Sequence, residues 1–214
     1  MIEKIVEALE GCEMIDLSEE VQPNILKVNG RYLRGNQTRK FYLQQFINAD
    51  DGTYMHFIES ESHIGTHVEG PSHLRDDLKS LIEIPLEKFI GEAVVLKFEA
   101  ETLIKPEHLN KVRENDIVLL WSAGGAYITP KAAEYLVNKR IKMLGIQGIK
   151  LEDPKVGRKL ITHKLLLEND IPIIEGLTNL DKIRHERIFF IGLPLRISCL
   201  DSSWIRAIAL EPKI

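Results

Sequence analysis

The chain has 214 residues, of which 44% are hydrophobic and 28% charged, with 28 basic and 32 acidic side chains and a formal net charge of -4. That length and balance describe one soluble globular domain with a substantial core. No basic stripe is present, which argues against nucleic acid as a partner, and the longest apolar runs, such as Ile117-Val118-Leu119-Leu120-Trp121, are far too short to span a bilayer.

Residues 2–10 read as an amphipathic helix stopped by Gly11. The N-terminus has neither a basic leader nor a long apolar stretch, so no signal peptide is expected. Cys12 and Cys199 are the only cysteines; two distant thiols fit a reducing cytoplasm rather than a disulfide framework. A short strand is expected over 14–17. The segment 21–37 is polar and irregular, with a turn signal at Asn29-Gly30. Two β-rich runs, 40–47 and 53–59, flank Asn48-Ala49-Asp50-Asp51-Gly52, which predicts a hairpin with a medium loop.

Beyond residue 73 the pattern predicts a loop with a helical turn over 74–85, then a strand at 92–98. A short helix at 106–113 has Pro106 in its first turn, and a strand at 116–121 follows. Ser122-Ala123-Gly124-Gly125-Ala126 reads as a glycine-rich turn. Its amides could face an anion, but an ordinary strand-to-helix connection is the simpler reading. Thr129 caps a helix with Pro130 at its first position, running to about 140, and a strand covers 142–146. Asp153 and Pro154 open a further helix running to about 168. Strands at 171–174, 188–191 and 204–210 complete the list. The first half is strand-rich and the second alternates strand with helix, so the fold class is α/β with a mixed sheet. Residues 1–214 form a single domain, with the helical N-terminus (1–13) and the 21–37 arm available to a neighbouring subunit.

One short stretch concentrates the chemistry: Ser62-His63-Ile64-Gly65-Thr66-His67-Val68-Glu69-Gly70-Pro71-Ser72-His73. It holds three of the chain's 7 histidines and a carboxylate. Burying so many polar groups is costly unless something pairs with them, and a divalent cation is the simplest partner. On a flat strand His63 and His67 would lie about 13 Å apart, at about 3.3 Å per residue, and the glycines and β-branched residues make a poor helix. A bend is therefore expected at Gly65. His67 and Glu69 then share one face, and His73 follows a turn through Gly70-Pro71.

This stretch resembles the HxGTHxDxPxH signature of the cyclase family of metal-dependent hydrolases, a family that includes kynurenine formamidases (arylformamidases) and isatin hydrolases. Glu69 stands where the family usually has Asp. Two further segments resemble the family: His163 through Glu175-Gly176-Leu177, and Gly192-Leu193-Pro194-Leu195 through Arg206-Ala207-Ile208-Ala209. The likeness thus runs over most of the chain from about Asp16. By position alone His163 reads equally as a core histidine and Glu175 as a salt-bridged or capping residue; their pairing is implied by the resemblance. A second departure is Gln147, after Gly145-Ile146, where family members often carry Asp.

The resemblance implies a swivelling β/β/α fold and hydrolysis of a linear or cyclic amide C–N bond by metal-activated water. It implies one metal position at His63, His67 and Glu69, and a second at His163, Glu175 and Glu69, with Glu69 bridging. His73 is assigned to proton transfer, with a hydrogen-bonding role behind the ligands as the alternative. Zn or Mn is the expected metal, one or two ions per subunit, and a homodimer or homotetramer the expected assembly. A competing reading is a metal-containing small-molecule-binding protein on the same scaffold that has lost hydrolysis. Tyr54, Phe57, Trp121, Tyr127 and Trp204 are candidates for an aromatic pocket wall or for core, and His56, His108 and His185 have no evident partners.

Overall fold

The computed structural model describes residues 1–28, 31–34, 39–152 and 159–213. The N-terminal helix α1 (Ile2–Glu10) leads into β1 (Cys12–Asp16). Four strands follow as a separate sheet: β2 (Ile25–Val28), β3 (Arg31–Arg34), β4 (Phe41–Ile47) and β5 (Tyr54–Ser60), in the order β3-β2-β4-β5. The remaining elements are β6 (His67–Glu69), β7 (Ile90–Phe98), β8 (Leu103–Ile104), β9 (Ile117–Ile128), α2 (Pro130–Asn138), β10 (Met143–Lys150), α3 (Ile161–Leu167), β11 (Ile173–Glu175), β12 (Arg187–Ile191), β13 (Ser202–Trp204) and β14 (Ile208–Pro212).

They build a ten-stranded mixed sheet in the order β1-β14-β12-β7-β9-β10-β11-β6-β13, with β8 also paired to β9. Its centre, β7-β9-β10-β11, is parallel. Parallel strands are covered on both faces, so their sequences are continuously apolar. Along β7 and β9, alternate residues enter opposite cores. Val94, Leu96, Val118 and Leu120 pack with Ala132, Leu136, Leu166 and Leu167 of the two helices. Ala93, Val95, Ile117 and Leu119 pack with Phe89, Phe190 and Ala209 on the other side. The result is a single α/β domain with a mixed sheet. Among the described residues no helix is long and apolar enough to cross a membrane.

The 40–47 and 53–59 runs form the expected antiparallel hairpin, and Thr129 Oγ1 accepts the Ala132 amide at the head of α2. Other expectations need correction. The supposedly irregular 21–37 segment contains β2 and β3, two four-residue strands too short to stand out as a β run; the Asn29-Gly30 turn between them lies outside the described residues. The glycine-rich 122–126 stretch is no turn: β9 runs through it to Ile128. Gly124 and Gly125, at φ 133 and 73, absorb an irregularity where the β9–β10 register shifts around Gly148. A Cβ on Gly148 would sit 2.1 Å from the Ser122 carbonyl oxygen, so the glycines serve close backbone approach.

The expected helix at 106–113 is a single tight turn, Pro106–Leu109. The helix expected over 154–168 begins only at Ile161, because Leu160 is left-handed at φ 48 and stops helical propagation toward the N-terminus. Asp153 and Pro154 lie outside the described residues. The run 204–210 is divided between β13, which ends the sheet order, and β14, which lies one strand in from the other end.

His185 does have a partner. Glu211 has no solvent-exposed surface, and its carboxylate accepts the backbone N–H groups of Arg184 and His185 at 2.9 and 3.1 Å, and the His185 Nδ1–H at 3.0 Å. Burial would raise its pKa, but these donors and the Arg184 guanidinium hold it below the ordinary value. A depressed folded-state pKa stabilises above the unfolded value of about 4.3, and that stability is lost as pH falls through the folded value. Glu211→Gln is expected to cost about 2–3 kcal/mol at neutral pH, lowering Tm by roughly 5–10 °C. It should also flatten the acid side of the Tm–pH curve. Calorimetry between pH 3 and 7 measures both.

Candidate metal centre

Gly65 makes the expected bend, at φ +57. The reason is contact: a Cβ there would meet the Val21 side chain at 2.2 Å. The bend lets His63 approach β6, where its Nδ1 lies 2.9 Å from Glu69 Oε1. On β6 the alternation turns His67 and Glu69 to one face. The same face receives Glu175, opposite His67 on β11, and Ser202 and Trp204, opposite Glu69 and His67 on β13. α3 packs against the sheet and adds His163. His73 returns after the tight turn Pro71–His73.

The two halves of the motif are pressed together. Thr66 Oγ1 donates to the Gly176 carbonyl at 2.6 Å and accepts the Glu19 amide at 2.7 Å. Gly176 is at φ +70, and a Cβ on it would fall 2.3 Å from the Gly65 carbonyl oxygen. Gly176→Ala is therefore expected to force the His67 and Glu175 segments apart, costing roughly 2–4 kcal/mol from backbone strain and overpacking. Urea unfolding of the purified variant measures that loss.

All the site residues expected from the sequence converge. His67 Nε2 lies 3.5 Å and His73 Nε2 4.0 Å from Glu69 Oε1. His163 Nε2 lies 3.8 Å from Glu69 Oε2 and 3.9 Å from Glu175 Oε1. Among the described residues, potential ligand atoms fall into two groups, His63–Glu69–His73 and His67–Glu69–Glu175. Glu69 belongs to both, as a bridging carboxylate would, while the partners sort differently from the motif-based assignment.

The hydrogen bonds decide what this cluster can hold. His67 Nδ1–H donates to the Gly65 carbonyl at 2.9 Å, His163 Nδ1–H to Glu152 Oε1 at 2.9 Å, and His73 Nδ1–H to Asp201 Oδ2 at 3.1 Å. A neutral imidazole has one N–H, so each of these rings turns a bare Nε2 toward carboxylate oxygens. Acceptors facing acceptors repel unless a cation lies between them. His67 Nε2 and Glu69 Oε2 are in fact buried with no hydrogen-bond partner among the described residues. Ligands of a tetrahedral ion at about 2.1 Å stand about 3.4 Å from one another, close to the spacings above. The donor set of imidazole nitrogens and carboxylate oxygens suits zinc, manganese or iron.

His63 differs, with a carboxylate at each nitrogen: Glu69 on Nδ1 and Asp201 on Nε2, 2.8 Å away. Burial opposes its charged form, but the two carboxylates prevail and raise its pKa. Burial would also raise the pKa of Glu69, yet the hydrogen bond from His63 and the neighbouring imidazoles hold it well below the usual carboxylate range. Glu175 moves the other way, raised by burial and by the Glu69 charge. Asp201, despite burial, is lowered by its hydrogen bonds from His63 and His73.

Sequence reasoning missed Asp201 and Glu152. Glu152 also accepts the Ile161 and His163 amides at 3.0 Å each, capping α3 from outside the helix. Its neighbour Asp153, followed by Pro154, carried the clearer capping signal. Asp201 was visible only as part of a polar stretch before Trp204. Gln147 has a structural role, its Oε1 accepting the Leu180 amide at 2.7 Å. A cavity of about 520 Å³ beside the centre is lined by Gln147, Glu152, His163, Glu175 and apolar residues including Ile146 and Leu177. Of the aromatic candidates, Tyr54 and Phe57 are exposed on β5, while Trp204 packs edge-on to Phe41, with ring centres 5.8 Å apart.

Comparison with known proteins is consistent with this geometry. The Cyclase family model, described as "Putative cyclase", matches residues 15–153. A kynurenine formamidase of Bordetella petrii is 27% identical over 167 residues, covering 72% of this chain and 79% of its own. One from Erythrobacter litoralis is 28% identical over 185 residues, covering 80% and 85%. Among solved structures, isatin hydrolase A from Ralstonia solanacearum superposes with a TM-score of 0.80 at 19% identity, covering 98% of this chain and 97% of its own. Isatin hydrolase A from Labrenzia aggregata gives 0.79 at 22% identity, covering 99% of each.

Proposed function

Because the chain belongs to the Cyclase family, whose model spans more than half of it, we propose that it is a metal-dependent hydrolase of a non-peptide amide C–N bond, in a linear aryl formamide or a cyclic amide. One observation carries the reading: inward-facing imidazole nitrogens and two carboxylates around a centre where His67 Nε2 and Glu69 Oε2 are buried without partners among the described residues. His63, His67, Glu69, His163 and Glu175 are the proposed ligands, with Glu69 shared. Zinc or manganese, as one or two ions, fits the donor set.

A bound divalent cation would lower the pKa of a water from 15.7 to about 7 and polarise the substrate carbonyl. The chain's own groups do the rest. Gly65 O and Glu152 hold His67 and His163 in the tautomer that leaves Nε2 bare. His73, with Nδ1–H committed to Asp201, has a bare Nε2 that can take a proton from the attacking water and then pass it to the leaving nitrogen. The cavity beside His163 and Glu175, with its Ile146 and Leu177 wall, receives the organic part of the substrate and limits water.

A chelator-stripped preparation, reloaded with zinc or manganese and assayed on an N-formyl arylamine and on isatin, tests the proposal. Hydrolysis that disappears and returns with the metal supports it. Stoichiometric metal without turnover on either substrate favours the binding-protein reading, and absence of metal binding sinks both. A homodimer or homotetramer is supported by exposed apolar surface: Ile2, Ile5, Val6 and Leu9 along one side of α1, and Phe46, Tyr54, Phe57 and Ile58 on the small sheet. Sedimentation velocity reads the assembly directly.

A further inference from the structure

We propose that Asp201 is a positioning residue that sets the tautomers of both His63 and His73, and so joins a metal ligand to the proton-transfer group through one carboxylate oxygen. This rests on the metal-hydrolase reading above. Asp201 Oδ2 lies 2.8 Å from His63 Nε2 and 3.1 Å from His73 Nδ1. The two rings are stacked at a tilt, with centres 4.5 Å apart. A carboxylate only accepts hydrogen bonds, so both of these nitrogens must carry protons. His73 Nε2 is then bare, 4.0 Å from Glu69 Oε1. His63 Nδ1, 2.9 Å from the same oxygen, donates to Glu69 unless a cation lies between them, and with Nε2–H held by Asp201 it is the nitrogen His63 would turn to that cation. One acceptor thus directs two rings inward. Without it His73 could take either tautomer, and in the wrong one Nε2 would carry the proton it is meant to accept.

The placement of Asp201 is independent of its side chain. Its backbone carbonyl accepts the Gly70 amide at 2.8 Å, and β13 is paired to β6 immediately after it. Side-chain substitution therefore leaves the strand docked. Partners of this kind, behind the ligands, change metal affinity or activity by roughly 10–100-fold when removed.

The test uses the zinc-loaded chain, its Asp201→Ala variant, which removes the acceptor, and Asp201→Asn, which keeps one neutral acceptor oxygen. In the wild type, long-range proton–nitrogen NMR of the imidazoles should show His63 protonated at Nε2 and His73 at Nδ1. In Asp201→Ala, His73 should become a mixture of tautomers. Zinc affinity and kcat should each fall by roughly 10–100-fold, while KM changes little. Asp201→Asn should recover part of each loss, and it carries the same test should Asp201→Ala unfold. Unchanged tautomers, zinc affinity and kcat in a folded variant would overturn this inference alone. A wild-type chain that binds neither zinc nor manganese would overturn the underlying reading with it.

Discussion

Glu69→Gln is expected to lose bound metal and hydrolysis together. Its carboxylate is nearly inaccessible to solvent and touches every imidazole of the cluster, at 2.9 Å for His63, 3.5 Å for His67, 3.8 Å for His163 and 4.0 Å for His73. It is also the residue common to both groups of potential ligands. Glutamine keeps the shape but removes the charge and replaces one acceptor oxygen with a donor. A cation held by the cluster would lose its shared anion, and Glu175 would be the one carboxylate left among the proposed ligands. Turnover should fall by about 10³-fold or more, equivalent to about 4 kcal/mol of transition-state stabilisation. Metal should leave on dialysis. Glu69→Asp, which keeps the charge on a side chain one methylene shorter, should retain metal and part of the activity. Elemental analysis beside the hydrolysis assay settles the matter: a glutamine variant with full metal content would show that Glu69 is not a ligand.

His73→Ala is expected to separate the two readouts. With Nδ1–H bound to Asp201 and Nε2 4.0 Å from Glu69, His73 is placed to transfer a proton from the edge of the cluster. Loss of a positioned general acid or base costs roughly 10²–10⁴-fold. Metal content should stay near the wild-type level, since the five proposed ligands are intact. The structure sharpens this test, because His63, Glu69 and His73 also present ligand atoms within reach of a single ion. Parallel loss of metal and turnover in His73→Ala would assign His73 as a ligand and move proton transfer elsewhere.

Much of the centre could be read from the chain because its strongest signals are local. Three histidines and Glu69 lie within residues 63–73, and Gly65 among β-branched neighbours implied a bend that the φ of +57 bears out. Period-two alternation put His67 and Glu69 on one face, and β6 follows it. The parallel core was similarly legible, since strands covered on both faces must be apolar throughout. Local reading failed where a neighbour overruled it. Gly124 and Gly125 looked like a turn, but the approach of β10 at Gly148 makes them part of a long strand. The helix expected from 154 starts at Ile161, where Glu152 supplies the caps.

Residue types and their spacing by themselves determined that this is an α/β chain with a cluster of imidazoles and a carboxylate of the kind a cation would suit, because a bend, a strand face and a cost of burial are set by adjacent residues. Only the tertiary structure decided which nitrogen of His73 and of His163 faces inward. For His67 the acceptor is local, Gly65 two residues away, but Asp201 reaches His73 across 128 positions, and Glu152 reaches His163 across 11. A tautomer is fixed by the partner on the far side of the ring, and no periodicity within one segment records where that partner comes from.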